Sequence, residues 1–397
     1  MEFNLRLTKP DYHGGSIVNL MASLKNHYGG SVGHYPELKN APTQAFNSAK
    51  QIILLVIDGL GADLLAHWSV QPGSSGFLSE HLHCRLTSVY PPTTASAVTT
   101  LMNGQAPQQH GLTGWFMNFR EIGTTAAVLP FISRYGRESL SAHGVEINRL
   151  VDCENMSDGI AGECHMLLPS ELVDSDFSRR LGGSARRTGY SGLEGFLSKL
   201  NAFSDSAQAN RYLYAYWPEL DHLSHVYGPS DPRVQAHFID LQDQLQVFVE
   251  HAARHETCVL ITADHGFLDS GPAECINLDA HAELEDMLAM PLFGEPRSAY
   301  CVLRKGCDDE FEDYIARELS EFMDAVPSAN LIADNWFGLG EPHPELAARV
   351  GDYTLQMKQR FTIRDQLVGE RAFDLLGMHG GITAAEQYIP LLVFPAK

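Results

Sequence analysis

Acidic residues and histidines stand directly after several apolar runs, where they could bind a metal ion. Asp58 follows "QIILLVI", and Asp264 and His265 stand shortly after "TCVLIT". Asp221 and His225 lie four residues apart in "DHLSH", which follows "RYLYAYW". Buried carboxylates and imidazoles need a partner because they are removed from water. Three Asp and two His in one place would match a nitrogen and oxygen site for zinc or a similar divalent ion.

Each of these motifs also has an ordinary structural interpretation. Asp58 begins an Asp-Gly pair, which is common in turns. Asp264 could cap a helix, with His265 as a neighbouring surface residue. Asp221 and His225 would share one face of a helix, which is more often solvated than metal-binding. The recurrence of such residues after three apolar runs in one chain favours the metal site.

A hydroxyl nucleophile is also possible in "YPPTTASAVTTLMNG". Pro91 and Pro92 precede Thr93 and Thr94, and the small residues that follow suit a helix. The start of a helix favours an anion, and a hydroxyl there can be deprotonated when a metal ion coordinates it. Alternatively, Thr93 or Thr94 serves only as the helix cap.

Apolar runs that would form buried strands alternate with helical patterns. The predicted strands are residues 51–57, 211–217, 257–262, 298–303 and 388–394. The clearest helix begins after Asp231 with Pro232 and continues to about Arg254. This alternation predicts an α/β fold, in which the carboxyl ends of parallel strands meet at one edge. We expect residues 1–397 to form one domain, with cap or insert regions at about 115–205 and 270–375, where the alternation is poor.

The composition limits the partners. The net charge is −21, from 49 acidic and 28 basic residues, which argues against binding a nucleic acid polymer. Small phosphorylated substrates remain possible because metal ions can balance their charge. Seven scattered cysteines without a CxxC pair, and a start without a secretory signal, indicate a reduced cytoplasmic protein. No apolar run is long enough to span a membrane, so no membrane partner is expected.

Together the motifs resemble the nucleotide pyrophosphatase/phosphodiesterase family of the alkaline phosphatase superfamily. The matching segments, in order, are "LLVIDGLG", "PPTTASAVTTLMNGQAPQQHG", "DHLSHVYGP", "TADHG" and "GMHGGITAAEQYIPLL". They cover the chain from about residue 50 to 395. The resemblance implies an alkaline-phosphatase-like catalytic domain with a central, mostly parallel sheet, helices on both faces and cap insertions.

The resemblance also implies the residues of the site. Two divalent ions, zinc or alternatively manganese, would be bound, one by Asp221, His225 and His379 and the other by Asp58, Asp264 and His265. Thr94 would lie between the ions as their shared ligand and as the nucleophile. Two ions in such a site clamp the attacking and leaving oxygens of an in-line displacement. The substrate would be a nucleotide or another small phosphodiester or phosphoanhydride, and the oligomeric state stays open.

One departure from the family stands out. Where the family commonly has an Asn that donates a hydrogen bond to the phosphate, matching the spacing places Trp115. Asn118 lies close by and could replace that donor. We expect Trp115 itself to be a core or cap aromatic residue and not a catalytic one.

Other members of the superfamily remain as alternatives. A phosphonate hydrolase would share the threonine and both sets of ligands. A phosphomonoesterase or a phosphoglycerate-mutase-like enzyme would use a serine, and Ser96 is present. A sulfatase is disfavoured because no cysteine has the required context. A non-catalytic metal-binding protein is also disfavoured, because Thr94 and all six ligands are present.

Overall fold

The chain folds into an α/β structure, and the computed structural model describes residues 1–30, 33–370 and 375–397. Its strands, in chain order, are β1 (Gln51–Ile57), β2 (Leu82–Thr87), β3 (Phe116–Phe119), β4 (Thr124–Ala127), β5 (Ile132–Ser133), β6 (Glu163–Pro169), β7 (Arg186–Tyr190), β8 (Arg211–Trp217), β9 (Thr257–Thr262), β10 (Leu268–Asp269), β11 (Cys275–Asn277), β12 (Phe293–Glu295), β13 (Ser298–Cys301), β14 (Met323–Pro327), β15 (Tyr353–Met357), β16 (Thr362–Arg364), β17 (Gly377–Met378) and β18 (Tyr388–Phe394). Its α-helices are α1 (Ile17–His27), α2 (Thr43–Asn47), α3 (Ala62–Ser69), α4 (Phe77–Glu80), α5 (Thr94–Asn103), α6 (Pro107–His110), α7 (Asp176–Gly182), α8 (Gly192–Asp205), α9 (Glu219–Tyr227), α10 (Pro232–Arg254), α11 (Ala282–Met287), α12 (Asp308–Tyr314), α13 (Ser328–Ala333), α14 (Leu346–Val350) and α15 (Ala384–Gln387).

A seven-stranded sheet forms the centre, in the order β2-β18-β9-β1-β8-β6-β7. Only β18 runs against the others, pairing antiparallel with β9 and β2, so the expected mostly parallel sheet is confirmed. Every residue of β1, β8 and β9 is buried, which means that both faces of the sheet are covered. The predicted bounds of β1, β8, β9 and β18 match the observed ones.

Helices pack along this sheet in two groups. α10 contacts α8, α9 and α3, and α1 contacts α5. The predicted helix from Pro232 to Arg254 is α10, and the side chain of Asp231 caps it by accepting a hydrogen bond from the Arg233 amide. Among the described residues, no helix combines the length and the apolar character needed to cross a bilayer.

A second seven-stranded sheet lies beside the first, in the order β14-β15-β13-β12-β3-β4-β5. All its pairings are antiparallel, and it has apolar clusters of its own. The β12–β3 pairing at Gly294 and Phe116 joins two distant parts of the chain. Gly294 has φ +90°, and a Cβ atom there would lie 2.6 Å from the Tyr300 ring, so only glycine fits this crossing.

The structure divides the first expected insert, 115–205, between the two sheets, and residues 371–374 of the second expected insert, 270–375, lie outside the described residues. Within the first range, only β3 to β5 join the second sheet, whereas β6 and β7 extend the central sheet. β7 lacks an apolar signal because it is an edge strand, "RRTGY", with mostly accessible residues. The predicted strand 298–303 is β13, a member of the second sheet rather than of the central one.

Candidate active site

The residues expected to bind metal converge at the carboxyl ends of three neighbouring parallel strands. Asp58 directly follows β1, and Asp264 and His265 follow β9 after one intervening residue. Asp221 and His225 lie in α9, immediately after β8. Because β1 pairs with both β8 and β9, these strand ends stand side by side. His379 comes from the segment after β17 and completes the group, which we call the ligand cluster.

His265 lies at the centre of the ligand cluster. Its Nε2 atom is 3.3 Å from Asp58 Oδ1 and 3.4 Å from Asp264 Oδ2. The same atom lies 3.9 Å from Asp221 Oδ1. On the other side, His379 Nε2 lies 3.2 Å from His225 Nε2 and 3.9 Å from Asp221 Oδ1. Asp221 therefore links the two parts of the cluster.

Each of the three carboxylates keeps one oxygen without a hydrogen-bond partner. Asp264 Oδ1 accepts bonds from the amides of Gly59 and His265, at 3.1 and 3.0 Å, and Asp58 Oδ2 accepts the Tyr216 hydroxyl. By contrast, Asp58 Oδ1, Asp221 Oδ1 and Asp264 Oδ2 are buried and have no partner among the described residues. A bare carboxylate oxygen is costly to bury, and a cation would satisfy all three.

The three imidazoles of the cluster are also oriented so that they can bind a cation. In each ring Nδ1 faces a backbone carbonyl oxygen: His225 faces Gly377 at 2.8 Å, His265 faces Gly266 at 3.1 Å and His379 faces Pro92 at 3.3 Å. A proton on Nδ1 leaves the lone pair of Nε2 directed at the cluster, which is the tautomer of a metal ligand. The cluster thus fits divalent ions in the chemistry of its donors and in its unsatisfied atoms.

Burial alters the charges of these groups. It raises the pKa of Asp58 well above its usual value, with the carboxylates of Asp221 and Asp264 adding to the effect. It also raises the pKa of Asp221, to about 7. Conversely, burial lowers the pKa of His225 to about 4 and that of His379 well below its usual value. Adjacent buried carboxylates keep protons unless positive charge is brought to them.

Thr94 stands beside the ligand cluster as the first residue of α5. Thr93 precedes it in an extended conformation as the N-cap, so the predicted helix start is confirmed. The Thr94 hydroxyl lies 3.3 Å from His265 Nε2 and is only partly buried. Ser96, the alternative hydroxyl, is fully buried and has no hydrogen-bond partner in the described structure. The accessible hydroxyl at the cluster is that of Thr94.

A cavity of about 790 Å³ adjoins this site. Its wall includes Trp115 and Phe116 at the start of β3, and Met378, which precedes His379. Trp115 is 40% exposed, so the part of our expectation that placed it in the core is wrong and a cap position fits. Asn118 lies farther along β3, opposite Thr125 of β4.

Two residues near the site were missed by the sequence analysis. Tyr216 orients Asp58, and the only hint was the alternation of tyrosines in "RYLYAYW". Glu295 is buried, and its Oε1 accepts the Thr93 hydroxyl and the Trp115 amide, both at 2.6 Å. Burial raises the pKa of Glu295 to about 7. The sequence signal that could have identified Glu295 is its position as the single acidic residue in the stretch "PLFGEPRSAY".

A separate group of possible ligands lies at the surface. Asp205 at the end of α8 contacts His251 and His255 at the end of α10, with its Oδ1 atom 2.7 and 3.7 Å from their Nε2 atoms. Contacts of this kind between histidine and carboxylate side chains are common at protein surfaces and need no bound ion.

Comparisons with known proteins identify the family and similar folds. The profile of the type I phosphodiesterase / nucleotide pyrophosphatase family matches residues 52–381, a range that contains Thr94 and the whole ligand cluster. Murine ectonucleotide pyrophosphatase/phosphodiesterase 5 is similar in structure, with a TM-score of 0.62 and 18% identity over 86% of this chain and 87% of that one. The structure of an inactive variant of the murine protein in complex with AMP has a TM-score of 0.63 and 17% identity, with the same coverage of both chains.

A phosphonoacetate hydrolase from Sinorhizobium meliloti 1021, in complex with phosphonoformate, is also similar. Its TM-score is 0.57, with 16% identity over 88% of this chain and 91% of that one. No curated protein sequence matches the chain significantly. At these low identities the structural likenesses establish the alkaline-phosphatase-like fold.

Proposed function

Because this chain belongs to the type I phosphodiesterase / nucleotide pyrophosphatase family, we propose that it hydrolyses phosphodiester or phosphoanhydride bonds in small molecules through Thr94 and two divalent ions. One observation carries the proposal. Three carboxylates with bare, buried oxygens and three imidazoles with inward Nε2 atoms form one cluster, and the accessible hydroxyl of Thr94 lies 3.3 Å from His265 Nε2 in that cluster. Buried carboxylate oxygens usually have a hydrogen-bond partner, so three bare ones in one cluster favour bound cations over a purely structural role.

We propose that the ligands divide between two ions, as the resemblance to the family implies. Asp221, His225 and His379 would hold one, and Asp58, Asp264 and His265 would hold the other, with Thr94 between them. Their nitrogen and oxygen donors suit zinc and also accept manganese. Bound divalent ions supply Lewis acidity, which lowers the pKa of a coordinated hydroxyl and offsets charge on a transferring phosphoryl group.

The protein's own groups position the reaction. The Thr94 hydroxyl loses its proton, and its oxygen forms a bond to phosphorus while the bond from phosphorus to the leaving oxygen breaks. The leaving alcohol or phosphate takes up a proton, and the phosphoryl group with its remaining substituent stays bound to Thr94. Water then cleaves the phosphorus–Thr94 bond and restores the hydroxyl. Thr94 opens α5, a helix of ten residues, so the free amides of its first turn favour an anionic phosphoryl group at this position.

The neighbouring cavity supports a small organic substituent on the substrate. Its volume of about 790 Å³ lies within the usual range of ligand pockets, roughly 300–1,000 Å³. Trp115 and Phe116 offer aromatic surface there, as a nucleotide or another aromatic ester would require. We propose a nucleotide or similar diester as the substrate class, with no role for a nucleic acid polymer or a membrane.

Two further expectations belong to this proposal. We propose that residues 1–397 form one catalytic domain, with the second sheet as its cap, because Glu295 of β12 bonds directly to Thr93 beside the nucleophile. We also propose a cytoplasmic location, because all seven cysteines are free thiols.

The test compares bis-p-nitrophenyl phosphate with p-nitrophenyl phosphate, using zinc-loaded and manganese-loaded protein. Diester turnover above monoester turnover, lost in Thr94→Ala and after chelation but retained in part by Thr94→Ser, would support the proposal. Higher monoester turnover would favour a phosphatase or mutase activity instead. Phosphonoacetate is the third substrate, and its turnover in the absence of diester turnover would favour a phosphonate hydrolase.

A further inference from the structure

Glu295 is a buried carboxylate between the nucleophile segment and the cavity. It ends β12 of the second sheet and is only 6% exposed. Its Oε1 atom accepts hydrogen bonds from the Thr93 hydroxyl and from the Trp115 amide, both at 2.6 Å. The side chain also belongs to the wall of the cavity. Glu295 therefore contacts the residue that precedes Thr94 and lines the cavity that a substrate would occupy.

The same side chain lies against the segment that carries His379. A Cβ atom added to Gly380 would lie 3.0 Å from the Cβ atom and 3.1 Å from the Cγ atom of Glu295. The carboxylate of Asp221 is near enough to raise the pKa of Glu295 in addition to the larger effect of burial. Glu295 is thus bounded by the nucleophile segment on one side and by the ligand cluster on the other.

The hydrogen-bond partners of Glu295 leave its charge unbalanced. Both donors, a hydroxyl and a backbone amide, are neutral. Two buried arginines in this region have other partners: Arg297 forms a two-bond ion pair with Glu386, at 2.6 and 3.0 Å. Arg134 pairs with Glu370 at 2.8 Å. A carboxylate in this position repels the negative charge of a bound phosphoryl group.

We propose that Glu295 is a specificity-determining residue that selects monoanionic phosphodiesters over dianionic phosphate monoesters. The inference rests on the proposed function. With two divalent ions and three aspartates the site has a formal charge of about +1, which Glu295 reduces to about zero. A dianion carries twice the charge of a monoanion at the reacting group, so the repulsion from Glu295 is about twice as large for the monoester.

The first test replaces the carboxylate with an amide of the same shape. Glu295→Gln keeps an oxygen that accepts the Thr93 and Trp115 bonds but removes the charge. Assays at about pH 9 keep the wild-type carboxylate ionised and the monoester dianionic. We expect the ratio of kcat/KM for bis-p-nitrophenyl phosphate to that for p-nitrophenyl phosphate to fall about tenfold, chiefly because monoester turnover rises. A change below about twofold would overturn the proposal.

Two control variants separate charge from positioning. Glu295→Asp keeps the charge but shortens the side chain, so both activities fall while their ratio stays near the wild-type value. Glu274→Gln removes an equal charge from a partly exposed residue next to the cavity rim, and the ratio stays unchanged. If Glu295→Asp shifts the ratio as far as Glu295→Gln does, Glu295 only positions Thr93 and the proposal is wrong.

Binding provides a readout that does not depend on turnover. In a Thr94→Ala background, calorimetry at about pH 9 compares inorganic phosphate, a dianion, with dimethyl phosphate, a monoanion. Adding Glu295→Gln should tighten phosphate binding about tenfold and dimethyl phosphate binding distinctly less. Equal effects on both would overturn the inference. If the wild-type protein shows no turnover that depends on Thr94, the proposed function itself is refuted.

Discussion

The imidazole rings of His265 and His379 stack, with centroids 3.7 Å apart and planes 20° apart. The two residues are more than a hundred positions apart in the chain, one after β9 and the other after β17. The proximity of His265 lowers the pKa of His379 in addition to the larger effect of burial. The low pKa keeps His379 neutral, so the lone pair of its Nε2 atom is available for metal.

The Tyr216 hydroxyl should support metal binding by orienting Asp58. Tyr216→Phe removes the donor to Asp58 Oδ2, and we expect metal affinity to fall about 10- to 100-fold, as for other partners of metal ligands. Competition with a fluorescent chelator measures this. The matched control is Tyr214→Phe, because the Tyr214 hydroxyl is buried without a hydrogen-bond partner in the described part of the chain. An equal loss of affinity in both variants would contradict the role given to Tyr216.

Metal removal should lower thermal stability as well as activity. A bound cation satisfies the bare oxygens of Asp58, Asp221 and Asp264, and each of two ions at a hundred times its Kd adds about 2.7 kcal/mol. We expect chelation to lower Tm by about 5 °C or more, and zinc or manganese to restore it. Differential scanning calorimetry tests this, with Asp264→Asn as a variant whose Tm responds much less. A wild-type Tm indifferent to chelation would speak against resident ions.

Metal-free protein should show a distinctive pH dependence at Asp221. Burial raises the pKa of Asp221 in the folded protein to about 7, above its value of about 3.9 in the unfolded chain. Its contribution to stability is therefore complete below about pH 4 and is lost as the pH rises through 7. Asp221→Asn lacks this loss, so its Tm should rise relative to wild type between about pH 4 and 7 and then level off.

The control for this pH effect is the surface residue Asp231. Its hydrogen bonds with Arg233 lower its pKa to about 2, so it is ionised in both the folded and the unfolded chain above about pH 5. Asp231→Asn should therefore show a constant difference from wild type over the range from about pH 5 to 7. A flat profile for Asp221→Asn as well would refute the assigned pKa.

Trp115 should contribute to substrate binding rather than to chemistry. Its side chain is 40% exposed at the cavity wall, whereas its amide is held by Glu295. Trp115→Ala keeps that amide, so we expect KM for aromatic esters to rise about 5- to 10-fold, as for loss of one stacking contact, with kcat nearly unchanged. Steady-state kinetics measure both constants. The control variant Trp115→Phe keeps an aromatic ring, so its KM should stay close to the wild-type value. A large loss of kcat would assign Trp115 a different role.

The buried ion pair between Arg297 and Glu386 should be important for stability. Both side chains are fully buried, and Glu386 also accepts bonds from the Gly381 amide and the Thr383 hydroxyl, next to His379. Arg297→Met leaves an unpaired buried charge, so the free energy of unfolding should fall by about 3–5 kcal/mol. Urea unfolding measures this. The control is Arg120→Met, which breaks a surface pair between the exposed Arg120 and the partly buried Glu345 and should cost less than about 1 kcal/mol.

The sequence by itself determined the central strands and the order of the motifs. β1, β8 and β9 are continuous apolar runs because both of their faces are buried, and such runs can be read directly. Parallel strands bring their carboxyl ends to one edge, so the sequence alone placed Asp58 and Asp264 together. The helix start at Thr94 was equally local, since its prolines and cap residue are neighbours in the chain.

Only the tertiary structure decided what surrounds these residues. The second sheet forms by pairing β3 with β12, nearly 180 residues apart, and short antiparallel strands with polar flanks carry little local signal. Glu295 reaches Thr93, and Tyr216 reaches Asp58, only through this long-range packing. The local pattern of apolar and polar residues indicates which side chains are buried. The hydrogen-bond partner of a buried polar atom, however, depends on how distant segments of the chain pack together.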